Sequence, residues 1–231
     1  MTDENTVREE SDGPLDFFET MTEKLGSRRK FMGDAAKVGV GAVALSAVGA
    51  GTASAFHESS DVDILNYALT LEHLEATYYA EFLEEHSESD VERSAVAQYF
   101  ARPTLRYSLY QQIEDVADHE AQHVDALSQT ISDLGGTPVE AAEYTFPYDS
   151  MEEFVALSDR IEAVGVSAYA GAAPYIENDD VLAAALSIHS VEANHSTFFN
   201  VLNLQRAAPN AFNPARDKDQ VLGIVTPLID S

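Results

Sequence analysis

Two short runs carry residues able to do chemistry: Asp118-His119-Glu120-Ala121-Gln122-His123, and Glu192-Ala193-Asn194-His195. Both contain Glu-x-x-His. In a helix, residues three apart share a face, so each pair aims a carboxylate and an imidazole at one spot. Two such pairs facing each other, with one further glutamate from each of two more helices, form the ligand set of a carboxylate-bridged dinuclear metal site in a four-helix bundle. The chain must then supply two more helices, each with an acid on its inward face.

Upstream, Ile64 to Tyr79 has apolar residues at 64, 65, 68, 71, 74 and 78, close to helical spacing, with Glu72 among them. Between the two motifs, Glu162 sits among Ile161, Ala163, Val164 and Val166. An unpaired carboxylate in such surroundings costs several kcal/mol when buried, so a counter-charge is expected beside it. Glu72 and Glu162 are therefore the candidate third and fourth carboxylates. Each is followed seven residues later by a tyrosine, Tyr79 and Tyr169. Seven residues is almost two turns, so each tyrosine is expected to return to its own glutamate's face about 10 Å further along and lean back toward the metal layer. Glu75 has Phe82 at the same offset and is set aside.

The order Glu72, Glu120-x-x-His123, Glu162, Glu192-x-x-His195, with Tyr79 and Tyr169 placed as described, resembles the ferritin-like superfamily. The phrases Leu69-Thr70-Leu71-Glu72-His73-Leu74-Glu75-Ala76-Thr77-Tyr78-Tyr79 and Ser187-Ile188-His189-Ser190-Val191-Glu192-Ala193-Asn194-His195 are similar, more narrowly, to its exported branch, which includes desiccation-related proteins. The resemblance spans roughly residues 61 to 206. It implies an all-α fold, a ferritin-like four-helix bundle with a long crossover between helices two and three. It also implies metal ligation by Glu72, Glu120, His123, Glu162, Glu192 and His195, with Glu120 and Glu192 as bridges.

The implied reaction is that of a di-iron oxidoreductase, in which two bound ferrous ions react with dioxygen or peroxide, as in a ferroxidase, a peroxidase or the oxidation of a small organic substrate, while Tyr79 and Tyr169 act at the centre. Two alternatives stay open: a dimanganese centre with catalase-like chemistry, since these ligands do not separate manganese from iron, and a non-enzymatic, metal-binding protein of stress or desiccation protection. His119, four before His123, and His189, three before Glu192, could approach the same faces. A homodimer is left open.

Composition narrows the choice. The chain has 231 residues, 45% of them hydrophobic, enough for one domain with a proper core. It has no cysteine, which excludes disulfides, zinc-thiolate sites and iron–sulfur clusters, so any metal must use histidine and carboxylate. Forty acids against 13 bases give a formal net charge of -27 and argue against a nucleic-acid partner. The acids are expected to coat a folded surface suited to high salt, in which the chain resembles proteins of halophilic archaea.

Residues 1–55 read as an export signal. Ser27-Arg28-Arg29-Lys30-Phe31-Met32 supplies paired arginines, Val38 to Gly51 a short apolar run, and Ala53-Ser54-Ala55 a cleavage motif that would leave Phe56 first. The layout is similar to a twin-arginine signal, implying export of a folded protein to the cell surface or medium. The alternative is an uncleaved run that stays associated with the membrane. Residues 56–208 are expected to form the bundle: helix one from a cap at Asp61 or Asp63 to about Glu85, a short helix around 91–100, helix two from about Thr104 to Leu134, helix three from about Ser150 to Ala173, and helix four from the Asn178-Asp179-Asp180 turn to about Arg206. The link at 135–150, extended at about 3.3 Å per residue, can run the length of a helix. The tail at 209–231 holds a short apolar run, Val221 to Val225, expected to pack on the bundle.

Overall fold

The computed structural model describes residues 56, 59–100 and 106–230. The signal-like region at 1–55 lies outside the described residues. Among those described, the chain is helical, with α1 at Asp61–Glu85, α2 at Glu88–Arg93, α3 at Ala95–Gln98, α4 at Leu109–Asp133, α5 at Met151–Ala172, α6 at Asp179–Leu202 and α7 at Lys218–Val225.

The cap of α1 is Ser60, one residue before the expected position. Its hydroxyl accepts from the Asp63 N–H at 3.2 Å while the Asp63 carboxylate accepts the Ser60 N–H at 2.9 Å, a reciprocal capping box. Asp61 is thereby free to bond elsewhere. Its carboxylate accepts the backbone N–H groups of Glu177 and Asn178 at 2.8 and 2.9 Å, pinning the start of α1 to the turn before α6. The single short helix expected at 91–100 is two, because the Ser94 side chain caps a new start by accepting from Ala97 N–H at 3.2 Å. Of the start expected for helix two near Thr104, residues 101–105 lie outside the described residues, and α4 itself begins at Leu109. Helix four ends at Leu202, short of Arg206.

The link at 135–150 is the crossover. Gly135 has φ 79°, the left-handed turn that glycine adopts without a Cβ penalty, and Gly136 N–H returns to Ile131 O at 2.9 Å to close α4. The link then follows α1: Val139 N–H donates to Asn66 Oδ1 at 2.8 Å, His73 Nε2 lies 3.1 Å from Val139 O, and Phe146 and Tyr148 pack on the Tyr78 ring. Since the anchors on α1 ascend from 66 to 78, the link runs in α1's direction and delivers α5 to α1's far end, where Phe82 and Phe154 stack. Helices α4 and α5 are therefore parallel, and α1 and α6 run opposite to them. α1 packs chiefly on α4, and α5 on α6.

Leu69, Tyr78, Tyr79, Phe82, Ile113, Ile131, Phe154 and Phe199 are fully buried between these pairs. Each such side chain contributes about 1.5–3 kcal/mol relative to exposure. Phe56 belongs to the same core, edge-on to Tyr67 at 5.2 Å.

The tail folds back. Arg216 donates from its backbone N–H to Ser167 O at 3.0 Å and from Nη1 to Ser167 Oγ at 2.6 Å, and α7 buries Val221 and Val225 against α5. The apolar run expected to pack on the bundle does so as a helix, which Asp217 and Gln220 start with a capping box. Beyond it, Ile229 forms an antiparallel bridge with Tyr144 of the crossover. No helix among the described residues is long and apolar enough to cross a membrane.

A methyl group on Gly171 would collide with the Arg216 carbonyl, which is backbone and cannot swing aside. Gly171→Ala is therefore expected to lift the tail, costing about 1–3 kcal/mol by overpacking. Limited proteolysis should then cut between 207 and 217 in the variant and spare the parent; equal resistance would show that the tail adapts.

Candidate metal centre

The side chains of Glu72, Glu120, His123, Glu162, Glu192 and His195 converge on one layer of the core. The four glutamates are 0% exposed, His123 8% and His195 4%. They fall into two overlapping quartets. Glu72, Glu120, His123 and Glu192 each offer an atom within 4.8 Å of the others, and so do Glu120, Glu162, Glu192 and His195. Glu120 and Glu192 belong to both.

Each quartet gathers around one imidazole. His123 Nδ1 lies 3.1 Å from Glu72 Oε2, 3.2 Å from Glu120 Oε2 and 3.4 Å from Glu192 Oε1. His195 Nδ1 lies 2.8 Å from Glu120 Oε1 and 3.4 Å from Glu162 Oε2. Of these, the approaches of His123 to Glu72 and Glu120 are hydrogen bonds, and the other polar atoms of the layer are left unsatisfied. Glu120 Oε1, Glu162 Oε2, both Glu192 oxygens and His195 Nδ1 are buried with no aligned hydrogen-bond partner among the described residues. Orphaned buried oxygens cost about 1–3 kcal/mol each or more when charged. Oxygen and imidazole donors at this density suit a metal cation, so the residues present fit a metal site.

Over residues 60–205 the chain matches the ferritin-like domain family. It belongs to that family. No curated protein matches it significantly. In this ferritin-like domain the tyrosines behave differently from the expectation that each returns to its own glutamate. Tyr79 O–H donates to Glu162 Oε1, and Tyr169 O–H to Glu72 Oε1, both at 2.5 Å. α1 and α5 are antiparallel, so the residue seven beyond one glutamate lies level with the glutamate of the opposite helix. The bonds cross between helices.

One acid in the layer is missed by spacing along the chain. Glu75, set aside because Phe82 follows it at +7, is 2% exposed, and its Oε2 has no hydrogen-bond partner among the described residues. Opposite it on α5 stands Gly165, where a Cβ would sit 3.1 Å from Glu75 Oε1 and 2.5 Å from Glu192 Oε2. A signal is present in the sequence: Glu75 is three residues after Glu72, and Gly165 is three after Glu162, so a missing side chain in one half leaves room for the extra acid of the other.

The remaining histidines separate. His119 is exposed but reaches His195, its Nδ1 3.0 Å from His195 Nε2. His189 does not join the centre; its Nδ1 is buried with no aligned hydrogen-bond partner among the described residues. His73 and His86 serve backbone carbonyls, and His57 lies outside the described residues.

Without metal, protons carry the missing charge. Burial pushes Glu72 up to about 8, and it raises Glu162 too. Burial, reinforced by neighbouring carboxylates, holds Glu75 and Glu192 well above the usual range. Burial would lower the imidazoles, but surrounding carboxylates outweigh it, lifting His123 to about 12 and His195 to about 10. Burial works against Glu120 as well, yet the two imidazoles hold it down at about 2.

Glu72, raised from 4.5 to about 8, binds a proton in the fold that the open chain gives up, so its stabilisation is lost as pH rises between those values. The two histidines, raised from 6.5, act in the same direction at higher pH. Glu120 opposes them only below 4.5. The melting temperature of the metal-free protein in high salt is therefore expected to fall from about pH 5 to about pH 8. Metal-loaded protein should show the reverse slope, because protons compete for the same ligands. Parallel slopes for the two forms would contradict a metal at these residues. Gly165→Ala, which presses a methyl against Glu192 Oε2, should lower metal content while leaving helical circular dichroism in place.

Proposed function

We propose that this ferritin-like protein holds a carboxylate-bridged di-iron centre and oxidises ferrous iron or reacts with dioxygen or peroxide. The observation that carries the reading is the pair of quartets sharing Glu120 and Glu192, because two sites with two carboxylates in common are the geometry of bridged ions. Glu72 and His123 would complete one position, and Glu162 and His195 the other. Iron bound there would supply reversible one-electron exchange between its ferrous and ferric states.

The chain's own residues set the conditions for that exchange. Glu72, Glu120, Glu162 and Glu192, all ionised, match the charge of two divalent ions with neutral imidazoles beside them. Each imidazole must give up its proton on metal binding, so affinity rises with pH. The phenols of Tyr79 and Tyr169 are kept protonated by burial, well above their ordinary pKa. They remain donors, each fixing one oxygen of Glu162 and Glu72 and leaving the other free for a ligand. The stacked rings of Tyr79 and Phe199, at 5.6 Å, close the layer against water on that side.

With residues 1–55 read as an export signal, this chemistry would take place at the cell surface or outside the cell, where an acidic surface suits a salt-rich medium. A manganese pair with catalase-like activity and a metal-holding stress protein are the competing readings, and one experiment separates the three. Protein folded in high salt with iron and manganese both present is analysed for elements, then assayed for ferrous oxidation and peroxide turnover. Two iron ions per chain with either activity, both lost in Glu162→Ala, is the expected result. Two manganese ions select the catalase-like reading, and metal without activity the protective one. Tyr79→Phe should keep the metal but lose the bond to Glu162, slowing turnover by about ten- to a hundredfold; unchanged turnover would leave the tyrosine a packing role only.

A further inference from the structure

The two halves of the centre are built on one plan, and His119 breaks it. In the first half Glu120 is preceded by His119; at the matching place in the second half, before Glu192, stands Val191. His119 does not serve its own helix's ligand. Its ring meets that of His195 of α6 edge to edge and nearly coplanar, ring planes 10° apart and centroids 5.3 Å apart, with Nδ1 3.0 Å from His195 Nε2.

An imidazole has two nitrogens, and a hydrogen bond at one decides what the other can do. His195 Nδ1 faces Glu120 and Glu162. For that nitrogen to present a lone pair to a cation, the ring's proton must be on Nε2. His119 Nδ1 stands where it accepts that N–H, and its own Nε2–H is then free to point to solvent, since the residue is exposed. His123 has no such support: every hydrogen bond it makes among the described residues is through Nδ1, on the carboxylate side.

We infer that His119 is a positioning residue that orients His195 through Nε2 and makes the two metal positions unequal, the one at Glu162 and His195 binding more tightly. The inference rests on the dinuclear reading. It goes beyond that reading by ordering the two positions and by assigning the order to a side chain outside the ligand set. Partners of metal-bound histidines typically change affinity by about ten- to a hundredfold when removed.

The test is a titration of the metal-free full chain with cobalt(II), read by calorimetry and by the ligand-field absorption of each equivalent. The parent should bind two equivalents in resolvable steps. His119→Ala should weaken the tighter step by about ten- to a hundredfold and leave the other in place. His119→Asn, whose side-chain oxygen can accept from Nε2–H, should restore much of the loss, whereas His119→Leu should not. Because His119 is exposed, the thermal stability of the metal-free variants should match the parent, so weakened binding cannot be put down to misfolding. Unchanged binding in His119→Ala, equal weakening of both steps, or rescue by leucine would overturn the assignment. A parent that binds no metal would instead overturn the dinuclear reading itself.

Discussion

The structure depends on how an apolar core holds five glutamate side chains in one layer. Glu72, Glu75, Glu120, Glu162 and Glu192 are each at most 2% exposed, and the opposing groups within reach are the two imidazoles His123 and His195. Desolvation and mutual repulsion both act against their ionised forms. A fold in that position must neutralise the layer with protons or with cations. Among the described residues Glu120, Glu162 and Glu192 keep buried oxygens without hydrogen-bond partners, and these atoms could coordinate a cation.

The architecture around the layer holds its members in place from two directions. Helices α1 with α4, and α5 with α6, pack as two hairpins, and the crossed bonds Tyr79 to Glu162 and Tyr169 to Glu72 tie one hairpin to the other at the level of the acids. The crossover lies along α1, and the tail closes on it where Ile229 meets Tyr144. At one end Tyr78, Phe82, Phe154 and Phe199 form a continuous aromatic plug. Loss of any of these supports would let water reach carboxylates that are now dry, and so weaken the electrostatic interactions within the layer.

The same residue type serves two opposite purposes in this chain. The 40 acids give the molecule its charge of -27, and most of those among the described residues belong to the solvated surface. The few in the core are there because helical spacing turns them inward. Composition cannot tell the two populations apart, and burial does so at once.

The sequence alone determined the helical class, the crossover between the second and third long helices, and six residues of the central layer. These follow from rules that act along the chain: a period near 3.6, Glu-x-x-His on one helical face, and Gly135 and Pro138 breaking the pattern. What only the tertiary structure decided lies between helices. Tyr79 serves Glu162 because α1 and α5 run antiparallel. Glu75 belongs to the layer because Gly165, on another helix, leaves it room. His119 meets His195 because α4 and α6 bring them together. Spacing along one helix says which residues share its face; which residue of another helix lies opposite depends on axial register and direction, and those are set by the packing of the whole core.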